Sequence, residues 1–211
     1  MASGAARRPL TPERVVAAAL RLIDRDGVEA LSMRRLGAAL RVEAMSLYKH
    51  VPDKAALLDA VAARVLAGLE PADPREPWEA RLRHVAHEFR RAALAHPHVF
   101  PLLATRVPTL PEAFAPIEAM LGALRDAGLG DARLLAHFWA FLAYLTGALL
   151  AETAARTGAG SAALTVPESL DPAPFPELRR LARALAACDF ATEFARGLEL
   201  AIESVQRAAA R

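Results

Sequence analysis

Cysteine, aromatic residues and strand-forming runs are scarce in this chain of 211 residues. Its single cysteine, Cys188, excludes an internal disulfide and a zinc cluster built on cysteine ligands. Aromatic residues make up only 6% of the sequence, and β-branched runs of the kind that form strands are largely missing. Alanine and leucine, which lose little conformational freedom in a helix, supply much of the 54% hydrophobic content. We therefore expect an all-α protein.

Targeting and membrane-spanning patterns are also missing. The N-terminal residues include Arg7 and Arg8, but no apolar stretch follows these charges as it would in a signal peptide. The longest apolar run, Phe138–Ala151, is interrupted at Thr146 and Gly147. At roughly 14 residues it is shorter than an ordinary membrane span. We expect a cytoplasmic protein that does not contact a membrane.

The net charge of +2 hides an uneven distribution. Residues 1–54 hold ten Lys or Arg against six Asp or Glu, whereas the remaining residues hold 16 against 18. A basic N-terminal part suits a module that meets phosphate groups at one end of the molecule. Arg7 and Arg8 are candidates for a flexible arm along a phosphate backbone.

Helix caps, prolines and apolar spacing predict about ten helices. Thr11, Ser32 and Asp53 are expected to cap the first, second and fourth helices, and a short third helix is predicted over Glu43–His50. Three prolines within residues 70–77 predict a boundary. Later helices are predicted to begin near Trp78, Pro97, Pro111, Asp131, Phe175 and Asp189. These patterns divide the chain into an N-terminal domain (1–54), a connecting helix (55–70) and a larger helical domain (71–211).

The N-terminal domain has the order of helices that is typical of a helix-turn-helix. Leu36 and Leu47 would pack together with Val42 in the turn between them, so the other face of the third helix would be exposed. Lysine, histidine, tyrosine and serine can contact phosphates or base edges, and alanine and methionine can contact a thymine methyl group. A face that meets only solvent is the alternative for any one of these side chains. The candidate DNA-binding residues are Arg34, Ala44, Met45, Ser46, Tyr48, Lys49, His50 and Lys54.

Residues 11–58 resemble the N-terminal domain of the tetracycline-repressor (TetR) family. The family's motif is matched by Leu47, Tyr48, Lys49, His50, Val51 and Lys54. The resemblance implies that Tyr48 and Lys54 contact phosphate. It also implies positions that read bases or face the groove for Arg34, Ala44, Met45 and Ser46. Arg41 stands where the family often has glycine in the turn, a left-handed position that arginine can adopt at modest cost.

The C-terminal part resembles the regulatory domain of the tetracycline repressors in three segments, Glu76–Trp78, Ala104–Arg106 and Phe194–Ile202. The resemblance implies a ligand-binding and dimerisation domain, with a four-helix bundle formed by the last long helices of two subunits. The helix predicted from Asp131 is apolar nearly all round, which independently favours cover by a partner over an ordinary monomeric core. Candidate pocket residues, each of which could instead be core packing, are Leu66, Val85, Phe89, Leu103, Arg106, Met120, His137, Phe141 and Tyr144.

Patterns for metal binding and catalysis are weak. The family's magnesium–tetracycline histidines are replaced here by Glu70 and by Leu102 or Leu103, so we expect an effector that depends less on a metal. His84, His87 and Glu88 have a spacing that can bind metal but match no zinc-enzyme pattern, so surface histidines are the simpler interpretation. Without a Ser/His/Asp group or a phosphate-binding loop, we expect no enzymatic activity, no cofactor and no resident metal.

These observations lead to one hypothesis with two alternatives. The chain is expected to be a homodimeric, ligand-responsive repressor that binds double-stranded, palindromic operator DNA and is released by a small apolar effector. A constitutive regulator, whose C-terminal domain only dimerises, is the first alternative. A small-molecule carrier or enzyme built on the same scaffold is the second.

Overall fold

A computed structural model describes residues 9–106, 109–160, 164–171 and 173–210, so the proposed arm at Arg7 and Arg8 lies outside the described residues. Within these ranges the chain forms ten α-helices, two short 3-10 helices and no strand, which confirms the all-α prediction. The α-helices are α1 (Pro12–Asp26), α2 (Met33–Leu40), α3 (Ala44–Leu47), α4 (Lys54–Leu66), α5 (Trp78–Ala95), α6 (Phe100–Thr105), α7 (Ala115–Asp126), α8 (Asp131–Thr157), α9 (Pro176–Ala186) and α10 (Phe190–Ala209). The 3-10 helices are Val28–Ala30 and Pro111–Ala113.

The three predicted N-caps are confirmed. The Thr11 hydroxyl accepts the backbone N–H of Arg14 at 3.3 Å, and the Ser32 hydroxyl accepts that of Arg35 at 3.2 Å. The Asp53 carboxylate accepts the backbone N–H of Ala56 at 2.8 Å. Each bond satisfies an N–H group that the first turn of a helix leaves without an intrahelical partner. The starts of α1, α2 and α4 are therefore fixed by local sequence.

Several helices are shorter than the sequence predicts: α4 ends at Leu66 and not near residue 70, and α3 and the helix predicted from Pro111 are also shortened. α3 ends at Leu47 and the chain turns through residues 48–50, and Pro52 disfavours any continuation of the helix at Val51. The helix predicted from Pro111 is interrupted after one 3-10 turn, and α7 begins at Ala115. The ring of Pro116 would clash with the carbonyl group four residues earlier in a continuous helix.

The helices enclose two main apolar cores. The first joins α1 to α4 and includes Ile23, Leu36, Leu47, Leu57 and Val61. The second joins α5, α7, α8 and α10 and includes Leu82, Met120, Phe141, Leu145 and Leu198. A small third cluster contains Leu66, which lies further along α4. Because α4 contributes to the first and third clusters, it connects the N-terminal helices to the rest of the protein.

A buried ion pair ties α5 to α8. The Arg90 guanidinium donates to both carboxylate oxygens of Glu152, at 2.9 and 2.6 Å. Glu152 is buried, and the Arg90 side chain is 22% exposed. The guanidinium also lies 5.5 Å from the centre of the Phe194 ring on α10. Three helices of the second core therefore meet at this pair.

The 27-residue helix α8 is long and apolar enough to cross a membrane by length and composition alone. Core helices of soluble proteins have the same property. α8 packs against α5, α6, α7 and α10, so one side of it belongs to the second core. Leu135 and Trp139 on its other side are exposed, at 51% and 63%.

Candidate nucleic-acid interface and ligand site

The position of α3 depends on a close approach to α2. Leu36 and Leu47 are fully buried in the same core, as the sequence predicts. Val42, in the turn that connects their helices, is half-buried against that core. A Cβ atom built on Gly37 would lie only 2.8 Å from the Val42 carbonyl oxygen and 3.2 Å from the Ala44 nitrogen. The Val42 N–H also donates to the Gly37 carbonyl oxygen at 2.9 Å. A side chain at position 37 would therefore push the turn and α3 away.

Arg41 closes α2 in the left-handed conformation, with φ 58° and ψ 44°. It is the one residue other than glycine with positive φ in the described part of the chain. This conformation costs an L-residue on the order of 1 kcal/mol. The turn is thus formed as predicted, with arginine in a position that favours glycine.

The candidate DNA-binding residues surround α3 and the turn that follows it, and none of the eight is buried. Exposed members are Arg34, Met45, Tyr48, Lys49 and Lys54, and half-buried members are Ala44, Ser46 and His50. Met45 is 75% exposed, so its thioether is free to contact a groove. We call these eight residues the DNA-facing surface.

Three exposed cationic side chains, Arg34, Lys49 and Lys54, lie on this surface. Lys49 and Lys54 are the only lysines of the chain. Lys54 occupies the first turn of α4, directly after the cap residue Asp53. Backbone N–H groups at a helix N-terminus attract anions, and a lysine beside them adds to that attraction. The Asp53 carboxylate already accepts the Ala56 N–H at this helix start, so Lys54 is the group there that is open to a phosphate.

The candidate pocket residues meet around two small cavities and the second core. Leu66, Leu103 and Arg106 line a cavity of about 20 Å³, and Leu66 and Val85 line one of about 90 Å³. Met120 and Phe141 are buried in the second core, against which Phe89 and Tyr144 are packed. His137 on α8 is half-buried. These volumes are far below the roughly 300 Å³ of a small ligand site.

Two polar candidates in this region are already engaged. The Arg106 Nε donates to the Asp59 carboxylate on α4 at 2.7 Å. The Tyr144 hydroxyl donates to the Phe194 carbonyl oxygen, and burial raises the pKa of this phenol. Arg106 therefore links the end of α6 to α4, and Tyr144 links α8 to α10.

The histidine spacing on α5 has a structural explanation. A ring nitrogen of His84 lies 2.8 Å from the Glu70 carbonyl oxygen. Glu88 accepts two bonds from Arg91, whose guanidinium lowers the pKa of this carboxyl to about 2. Both side chains hold the segment after α4 against α5.

Comparison with known families agrees with this geometry. The model described as bacterial regulatory proteins of the tetR family matches residues 15–61. The model of the tetracyclin repressor-like C-terminal domain matches residues 70–208. The chain belongs to the TetR family. It therefore belongs among transcriptional regulators with a helix-turn-helix, and the expected resemblance of its C-terminal part to the tetracycline repressors is confirmed.

Relatives within the TetR family include an HTH-type transcriptional regulator of Saccharopolyspora erythraea, 38% identical over 68% of this chain and 61% of that protein. The repressor DrrR1 of Streptomyces coeruleorubidus is 38% identical over 66% of this chain and 52% of its own length. These matches thus span half to two thirds of the relatives. The crystal structure of the Streptomyces coelicolor TetR family protein ActR in complex with actinorhodin has a TM-score of 0.84 and 30% identity. It covers 97% of this chain and 100% of ActR.

Sequence reasoning about this TetR-family chain missed two residues that position the sites. Gly37 lies inside α2, where glycine lowers helix stability by about 1 kcal/mol relative to alanine. A glycine at such a position indicates a packing reason for it, and this indication was available in the sequence. Asp59 carries no such clue, because its partner Arg106 is 47 residues away in sequence.

Proposed function

We propose that the protein is a ligand-responsive transcriptional repressor that binds a palindromic operator as a homodimer and is released by a small apolar effector. The observation that carries the DNA-binding part is the DNA-facing surface, which is accessible to solvent around the short helix α3 that Leu47 anchors in the core. Tyr48, Lys49, His50 and Lys54 contact phosphates in this proposal. Arg34, Ala44, Met45 and Ser46 meet base edges and thymine methyl groups.

Exposed apolar side chains support the homodimer. Leu135 and Trp139 on α8 and Leu200 on α10 are each more than half exposed. Large apolar side chains grouped on two long helices are typical of an interface. A twofold dimer would carry two DNA-facing surfaces, which must be about 34–36 Å apart to enter successive major grooves. We accordingly assign residues 1–54 to DNA binding, 55–70 to the connection, and 71–211 to ligand binding and dimerisation.

The effector site is proposed around Leu66, which lines both small cavities. An effector of ordinary size must enlarge these cavities by moving core side chains of α4, α5 and α7, since about 300 Å³ is needed. The complex of ActR with actinorhodin supports an organic molecule as effector. We propose that it binds without a metal and that the protein is a cytoplasmic regulator, not an enzyme.

Release from DNA would follow from the contacts of α4. Arg106, at the end of α6, is paired with Asp59 on α4, and Leu66 near the end of α4 faces the cavities. A ligand that displaces either contact shifts α4 and thereby the N-terminal helices. The effector must bind the shifted state more tightly, and a hundredfold induction requires roughly 2.7 kcal/mol of differential binding.

The DNA-binding proposal is tested with Tyr48→Phe and Lys54→Ala on a duplex that the wild-type protein selects from a random-sequence pool. Loss of one phosphate contact should weaken binding several-fold, and Lys54→Ala should reduce the slope of log affinity against log salt by about 1. Arg183→Ala, which removes an exposed arginine on α9, is the matched control and should bind normally. Unchanged affinity and salt dependence in both test variants would refute the proposed surface.

A further inference from the structure

A cleft between α1 and α5 is separate from the proposed effector site. It is open to solvent and has a volume of about 790 Å³, and α1 and α4 each supply four of its lining residues. It shares only Ala63 with the 20 Å³ cavity and Ala67 with the 90 Å³ cavity. Its size lies within the range of roughly 300–1,000 Å³ that is typical of small-molecule sites. The cleft can thus hold a ligand without rearrangement of the core.

The walls of the cleft combine apolar side chains with a few charged ones. Val16 and Leu20 line it from α1, and Ala92 and Ala95 line it from α5. Because alanine side chains are short, they leave the space between the two helices, which we call the slot, unfilled. An apolar, flat molecule would remove these surfaces from water, which is favourable in proportion to the area buried.

One positive charge in the lining is open to a ligand. Arg64 on α4 is exposed, and among the residues that the structure describes no carboxylate forms an ion pair with it. The other basic side chains of the lining are engaged, because Arg91 is bound to Glu88 and a ring nitrogen of His96 lies 3.0 Å from the Asp24 carboxylate. A guanidinium beside an apolar slot is suited to a carboxylate or a sulfonate.

The carboxylates in the lining limit the charge of the ligand. Glu13, whose pKa is lowered by a hydrogen bond from Thr11, and Glu112 both line the cleft. Their negative charges disfavour a ligand that carries a second anionic group. The complementary molecule has one anionic group and is otherwise neutral.

We propose that this cleft binds a flat, mostly apolar monoanion whose acidic group pairs with Arg64 and whose apolar part lies between α1 and α5. Such a ligand contacts a helix of the DNA-binding part and a helix of the C-terminal part together. It therefore stabilises the present orientation of one relative to the other. By linkage, its affinity and the affinity for DNA change each other by the same factor whenever DNA binding alters that orientation.

The test is a fluorescence titration of the full-length protein with 8-anilinonaphthalene-1-sulfonate, an aromatic monoanion. Arg64→Ala should weaken binding at the cleft about tenfold, the loss expected for one charge-assisted hydrogen bond. Ala95→Phe, which fills the slot from an exposed position on α5, should weaken it at least as much. The matched controls are Arg183→Ala and Ala184→Phe on the exposed, polar side of α9, and both should bind like the wild type.

Dye that binds at other sites contributes equally to the titrations of all variants. Differences in dye affinity between the variants therefore report on the cleft. Circular dichroism melting curves check that each variant folds. Unchanged titrations for both cleft variants would overturn the site. If only Ala95→Phe lowers the dye affinity, the proposal that the ligand is an anion is overturned. If only Arg64→Ala lowers it, the proposed position of the ligand between α1 and α5 is overturned.

Discussion

Replacement of Gly37 by alanine isolates the contact that positions α3. The new Cβ atom would meet the Val42 carbonyl oxygen at 2.8 Å, and the neighbours are backbone atoms that cannot rotate away. The turn must retreat by roughly 0.5 Å to restore a normal contact. Overpacking of this kind costs about 1–3 kcal/mol, which a gain of up to about 1 kcal/mol in helix propensity partly offsets. We expect the free energy of unfolding to fall by roughly 1 kcal/mol.

DNA binding should suffer more than stability. Binding residues must be held within about 0.5 Å of their productive positions, and the shift of α3 is of that size. Urea unfolding gives the stability, and fluorescence anisotropy with the selected duplex gives the affinity. We expect an affinity loss of at least tenfold under conditions in which the variant is fully folded.

Gly122→Ala is the matched control for Gly37→Ala. Gly122 lies inside α7, and a Cβ atom there would meet nothing within 4 Å. This substitution should raise the free energy of unfolding by up to about 1 kcal/mol and leave DNA binding unchanged. If Gly37→Ala were as stabilising as the control and bound DNA normally, the close approach of α2 and α3 would have no role in positioning the surface.

Three further predictions concern the C-terminal part. Arg90→Met should lower the free energy of unfolding by about 3–5 kcal/mol, because it leaves the Glu152 carboxylate buried without its partner. Adding Glu152→Met should restore most of the loss in urea unfolding, and failure to do so would contradict this account. Leu200→Arg should raise the dimer dissociation constant at least a hundredfold in analytical ultracentrifugation, since each subunit would bury an unpaired charge. The control variant Leu164→Arg, at a similarly exposed leucine, should leave the dimer dissociation constant unchanged. A stable dimer of Leu200→Arg would show that the interface lies elsewhere. In Arg91→Gln the pKa of Glu88 should rise from about 2 towards 4.5 in a carboxyl NMR titration. Because the folded-state pKa is depressed, the contribution of this pair to stability is present above pH 4.5 and lost as the pH falls through 2. An unchanged pKa of Glu88 in this variant would show that Arg91 does not cause the low value.

The N-terminal part was predictable because its determinants are local. Thr11, Ser32 and Asp53 cap helices that begin where these residues occur, and each bond spans three residues. Leu36 and Leu47 were expected to pack together from the helix-turn-helix order of the helices, and both are fully buried. The family motif supplied the chemistry of the DNA-facing surface as an expectation, and none of its eight residues is buried.

The ligand site was less predictable, because periodicity identifies apolar faces but not the space between them. Met120 and Phe141 fit a pocket and a packed core equally well in sequence, and the structure packs them in the second core. Arg106 resembled a polar anchor for a ligand, yet its bond to Asp59 joins distant segments of the chain. Such long-range contacts, like the cleft beside Arg64, follow from the packing of helices and leave no local pattern.

The distribution of lysine has a practical consequence for handling this protein. Because Lys49 and Lys54 are the only lysines, amine-reactive dyes and amine-coupled biosensor surfaces have no side-chain target outside the DNA-facing surface. Acylation there removes the two ammonium charges and covers the surface at the same time. On the proposal that this surface binds DNA, a protein immobilised or labelled through side-chain amines would report weaker DNA binding than its true affinity, whereas attachment through the half-buried Cys188 near α10 keeps the chemistry away from α3.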